Sequence, residues 1–140
     1  MTSIEFHYNA NEPIRLAATL VANFVQNGRK VLIYAPDATW YQAIDRMLWT
    51  YTQLSFVPHC AFDADVAPET AVWLSNQTEG AEAMDDILVN LSETVPTFFS
   101  RFDRTIEIVG TAETERAPGR VRYKFYQDRG YPIEQVNHQP

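Results

Sequence analysis

The chain has 140 residues, of which 46% are hydrophobic and 21% charged. That is enough apolar material for one core-bearing domain over residues 1–140, and too much for a disordered or low-complexity segment. A formal charge of −7 argues against wrapping a long phosphate backbone, and a single cysteine, Cys60, excludes an internal disulfide and a thiolate metal cluster. The charge is uneven: residues 116–129 carry five basic side chains against Asp128, net +4, whereas residues 1–115 carry 6 basic and 16 acidic ones, net −10. A small basic patch on an acidic body suits a short acidic ligand better than a duplex, which would also meet the repelling remainder. No apolar run is long enough to span a membrane, and Met1-Thr2-Ser3-Ile4-Glu5 lacks the basic start and apolar core of a signal peptide, so a cytoplasmic protein without membrane contact is expected.

In chain order, Ile4, Phe6 and Tyr8 alternate with Glu5 and His7, which predicts a first strand with one polar face near a sheet edge and His7 in solvent. Asn11 or Glu12 caps a helix begun by Pro13, with Ala17, Leu20, Val21 and Phe24 as its buried stripe and Asn27-Gly28 as its end. Residues 30–34 are continuously apolar after Lys30, as in a strand buried on both faces of a parallel sheet. Asp37 caps a second helix that runs to about Trp49, with Trp40, Ile44, Met47 and Leu48 at i, i+4, i+7 and i+8.

Residues 60–70 read as an irregular excursion, residues 71–74 and 86–91 as short strands, and Pro96 to Phe102 as a short helix with Phe98, Phe99 and Phe102 inward. Residues 104–109 form the last strand. A final helix ends at Gly130; Pro118-Gly119 either kinks a helix begun at Ala112 or opens a shorter one. The alternation predicts an α/β layer protein whose central sheet, mostly parallel or mixed, contains the strands near Ile4, Val31, Trp73, Leu88 and Ile108, with helices on both faces.

The β-α-β opening invites a nucleotide, yet Asn9-Ala10-Asn11-Glu12-Pro13 offers no glycine and one repelling carboxylate. Gly28-Arg29-Lys30 sits at a helix C-terminus, the wrong end of the dipole for a phosphate. His7, His59 and His138 lie far apart, His59 and Cys60 point to opposite strand faces, and Asp85-Asp86 supplies too few ligands for a hard cation, so no catalytic residue, metal or cofactor is expected.

Two stretches stand out. Trp49 lies one step off its helix's apolar stripe and Phe56 follows seven residues later; the pair either completes the core or forms half of a partner interface. In the last helix Arg120, Tyr123, Lys124 and Gln127 fall at i, i+3, i+4 and i+7 on one face, with Val121 and Phe125 turned toward the core. That face is either a solvated cationic surface or a site for a carboxylate beside an apolar group.

The chain resembles the chi subunit family of bacterial DNA polymerase III holoenzyme. The likeness runs through Lys30-Val31-Leu32-Ile33, Leu48-Trp49, Ser55-Phe56-Val57-Pro58-His59, Asp86-Ile87-Leu88 and Arg122-Tyr123-Lys124 with Tyr126. It implies a Rossmann-like three-layer fold without nucleotide chemistry, and a non-catalytic accessory subunit of the clamp-loader assembly. It further implies that Trp49 and Phe56 contact a psi subunit, and that Val109, Arg120, Tyr123 and Lys124 hold the acidic C-terminal tail of single-stranded-DNA-binding protein, leaving any DNA contact indirect. The competing class is a small α/β enzyme or nucleotide-binding protein.

Overall fold

Four consecutive apolar residues with no polar face, Val31–Tyr34, require cover on both sides, and the computed structural model, which describes residues 2–51 and 57–139, places them inside a seven-stranded sheet. The elements in chain order are β1 (Ser3–Ala10), α1 (Pro13–Gln26), β2 (Val31–Tyr34), α2 (Ala38–Trp49), β3 (Cys60–Ala61), β4 (Val72–Ser75), β5 (Ile87–Asn90), β6 (Arg104–Gly110), α3 (Glu113–Asp128) and β7 (Ile133–Asn137). The strand order is β3-β4-β2-β5-β6-β1-β7, and the pairings are all parallel.

The strand alternation divides two apolar layers. Val31, Ile33, Val89, Ile106 and Ile108 face Ala17, Ala18 and Val21 of α1 and Ile44 and Leu48 of α2. Leu32, Tyr34, Leu88 and Val109 join Tyr126 of α3 with Phe99 and Phe102 on the opposite face. The division follows from handedness: β1 and β2 cross toward the β3 edge, β6 crosses toward β7, and right-handed crossovers running in opposite directions put their helices on opposite faces. The five predicted strands and the three longer of the four predicted helices are present.

Several local expectations are corrected. β1 lies near the edge as expected but one strand in from it, because β7, which the sequence did not announce, pairs along it from Ile4↔Ile133 to Tyr8↔Asn137. His7 is accordingly buried, its Nδ1 2.7 Å from His138 Nε2 and its Nε2 2.7 Å from Glu5 Oε1. The excursion at 60–70 contains the two residues of β3 and a 3-10 turn at Ala67–Glu69, and the helix expected at 96–102 shrinks to a 3-10 turn at Phe99–Arg101. Glu12 occupies the N-cap of α1 without a side-chain cap bond, whereas Asp37 caps α2 as expected, accepting from the Thr39 and Trp40 amides at 2.8 and 3.3 Å.

The largest correction concerns α3. The helix runs unbroken through Pro118, and the face it turns to the sheet is Gly119, Arg122 and Tyr126; Val121 is 71% exposed and Phe125 only partly buried. The cause lies in the sheet beneath. Glu107 of β6 points at α3 and is fully buried, so its carboxylate must be paired. Arg122 Nε donates to its Oε1 at 2.8 Å, and Tyr126 Oη and Asn90 Nδ2 donate to its Oε2 at 2.6 and 2.9 Å. A hydroxyl and a guanidinium, rather than Val121, set the rotation of the helix.

Candidate ligand pocket

Two features of the backbone open a cavity of about 510 Å³ at the carboxyl ends of β1 and β6. β1 leads to α1 on one face and β6 to α3 on the other, so the chain parts between them, the position where parallel α/β sheets receive ligands. β7 closes the third side with Gln135 and, just beyond it, Gln139. Phe6, Tyr8 and Val109 supply the apolar lining, while Arg116, Gly119, Arg120 and Tyr123 come from successive turns of α3.

Each side chain has a local reason for its place. Gly119 lets α3 lie directly on Val109, since an added Cβ would stand 2.7 Å from Val109 Cγ2. Tyr123 meets the Phe6 ring edge-on at 5.2 Å, and its hydroxyl accepts from Gln135 Nε2 at 2.8 Å, which ties α3 to β7. Asn9 adopts a left-handed conformation, φ 59°, one that asparagine tolerates better than most residues. Its amide joins both walls: Oδ1 accepts from Arg116 Nη2 at 3.1 Å and Nδ2 donates to Asn137 Oδ1 at 3.0 Å. Arg120 Nη1 donates to Glu113 Oε1 at 2.8 Å, and this pairing holds the Glu113 carboxyl below its ordinary value and raises Arg120 further.

Of the four residues named for this face, Val109, Arg120 and Tyr123 line the one cavity. Lys124 lies outside the lining, its side chain 76% exposed and its Nζ 3.7 Å from Asp128. Arg116, Tyr8, Asn9 and Gln135 were not singled out as site residues. Arg116 carried a legible signal, one turn before Arg120 in the basic stretch, but Asn9 and Gln135 depend on strand pairings that no local pattern reveals. Two guanidinium groups beside aromatic walls suit a ligand that joins an anionic end to an apolar group.

A second cavity of about 480 Å³ lies on the other side of α3, beyond the carboxyl ends of β2 and β5. Among the described residues Asp37, Glu93 and Glu115 line it, its one cation, Arg122, is already paired with Glu107, and no glycine lines it. A phosphate there would meet carboxylates instead of a close backbone cradle. Asp86 of the acidic pair is engaged by Arg29 and the Lys30 amide. Among the described residues no group of three or more histidine, cysteine or acidic side chains is arranged to hold a metal, and no helix is long and apolar enough to cross a membrane.

The other named pair is only partly visible, because Phe56 lies outside the described residues. Trp49 is 51% exposed at the end of α2, with its ring 5.0 Å from that of His59. His59 is itself buried and fixed between Asp45 Oδ1 at 2.7 Å and the Val57 carbonyl at 2.6 Å.

Fold and cavity together define a parallel α/β domain with an open, guanidinium- and aromatic-lined pocket at one sheet crevice and an acidic cavity at the other. Residues 1–134 match the family described as DNA polymerase III chi subunit, HolC, and the chain belongs to that family. It is similar to DNA polymerase III subunit chi of Pseudomonas aeruginosa, 25% identical over 138 residues that cover 96% of this chain and 95% of the relative. The Haemophilus influenzae subunit chi is 27% identical over 122 residues, covering 87% and 85%, and that of Escherichia coli 25% over 119 residues, covering 85% and 81%.

Proposed function

We propose that this chi-family chain is a non-catalytic accessory subunit of the cytoplasmic clamp-loader assembly. It bridges a psi subunit, bound at the end of α2 through Trp49 and Phe56, to the acidic C-terminal tail of single-stranded-DNA-binding protein, bound in the pocket between β1, β6, β7 and α3. One observation carries the tail reading: Val109, Arg120 and Tyr123, chosen on sequence grounds, line a single cavity with Arg116 beside aromatic walls. An acidic peptide ending in a phenylalanine carboxylate has the matching chemistry. Its terminal carboxylate pairs with a guanidinium, and its phenyl ring packs on Tyr123 and Val109. Lys124 stands outside the cavity, where it attracts the acidic residues preceding the terminal one.

Calorimetric titration with such a tail peptide tests the reading. Arg120→Ala and Lys124→Glu are both expected to weaken binding at least tenfold, and rising salt to weaken it further. Equal affinities across wild type and both variants, or undiminished binding of a peptide lacking its terminal phenylalanine, would overturn it.

A further inference from the structure

Arg120 is already occupied in the unliganded chain. Glu113 begins α3 and Arg120 lies seven residues on, a separation of about 10.5 Å along the helix axis, so the two side chains must reach toward one another to meet. They do so in a two-point contact, Nη1 to Oε1 at 2.8 Å and Nη2 to Oε2 at 3.4 Å. Arg116, at i+3 from Glu113 and the nearer partner by sequence, is drawn instead to Asn9 Oδ1 at 3.1 Å. The fork that a ligand carboxylate would use is thus filled by a carboxylate of the same chain.

We infer that Glu113 is an internal competitor for the pocket's ligand, an autoinhibitory contact that keeps the grip on an acidic peptide reversible. The inference rests on the reading of this pocket as a carboxylate site. In the native chain an arriving carboxylate exchanges one ion pair on Arg120 for another, so the number of pairs is unchanged. Without Glu113 the ligand adds a pair. Both side chains are well exposed, 64% for Arg120 and 68% for Glu113, so the exchange is fast and the penalty is that of a surface pair, a factor of about two to five in affinity.

Calorimetry with an acidic peptide ending in phenylalanine, as the free acid and as the C-terminal amide, tests this on wild type, Glu113→Gln, Glu113→Asp, Arg120→Ala and the Glu113→Gln/Arg120→Ala double variant. Both Glu113 variants are expected to bind the free acid about two- to fivefold more tightly. Glu113→Asp keeps the charge and shortens the reach, so its gain cannot come from reduced net repulsion. No gain is expected for the amide, or when Arg120 is absent. Unchanged or weaker binding of the free acid by Glu113→Gln, or a gain that survives Arg120→Ala, would overturn the inference. Side-chain NMR of the Arg120 Nε–H group, which needs no peptide, separates the two levels. Increased motion in Glu113→Gln supports the ion pair and unchanged motion sinks it, whereas a peptide that binds without touching this pocket sinks the site reading.

Discussion

Gly119 and Val109 stand so close that a Cβ at position 119 would lie 2.7 Å from Val109 Cγ2, and both residues line the candidate ligand pocket. Replacing a helical glycine with alanine ordinarily stabilises by about 0.5 to 1 kcal/mol. Here the short, branched valine has little room to yield, and overpacking costs about 1 to 3 kcal/mol. Gly119→Ala is therefore expected to lower stability by about 1 kcal/mol in urea denaturation and to weaken peptide binding, because α3 must lift from β6. A rise in stability would show that Val109 gives way.

The buried pair Glu107 and Arg122 makes a second test. Removing the guanidinium leaves a fully buried carboxylate, for which about 3 to 5 kcal/mol of lost stability is expected in Arg122→Ala. The double variant Arg122→Met with Glu107→Leu is expected to recover most of that loss, since it removes both charges and keeps the volume. If the double variant were no more stable than Arg122→Ala, the polar network with Tyr126 and Asn90 would be holding the helix in a way that apolar packing cannot replace.

Acid should loosen the β1–β7 seam. Burial first, and His7 second, push the His138 imidazole below its ordinary value of 6.5, so folding favours its neutral form. A depressed histidine contributes stability above the unfolded value, and that contribution is lost as pH falls below about 6.5. Glu5, held below its ordinary 4.5 chiefly by its hydrogen bond to His7, adds a loss at lower pH still. The melting temperature is expected to fall more steeply between pH 7.5 and 5.5 in wild type than in His138→Gln; parallel curves would exclude this seam as the cause.

Trp49→Ala is expected to weaken binding of a psi subunit by about 2 kcal/mol or more, the scale of a central aromatic anchor, while tail-peptide affinity stays the same. The half-exposed ring leaves room for that separation of effects. Loss of folding in the variant, seen by circular dichroism, would return Trp49 to the core.

Periodicity made the architecture readable: four apolar residues at 31–34 and helices with apolar stripes announced a covered parallel sheet. It failed where a single polar contact decides orientation. Nothing around Arg122 shows that its partner is Glu107, fifteen residues upstream, so Val121 looked like the inward residue. β7 escaped because Ile133–Asn137 alternates weakly and its register is dictated by β1, about 130 residues away in sequence. The pocket inherited both strengths and blind spots. Of its helical face, Arg120 and Tyr123 followed from 3.6-residue spacing, which also pointed to Lys124 and Gln127 outside the lining, whereas Phe6, Asn9 and Gln135 entered only through pairings between the chain's two ends.

Those pairings fix an order of assembly. Among the described residues β1 pairs within the sheet with β6 and β7, from Ser3↔Arg104 to Tyr8↔Asn137, so during synthesis it has no strand neighbour until about a hundred further residues have followed it. Helix α1 and the β2–β4–β5 group can gather sooner, through nearer contacts. During synthesis an apolar segment bearing Ile4 and Phe6 must wait unpaired, which is a demand on chaperones and on the rate of translation rather than on the finished protein.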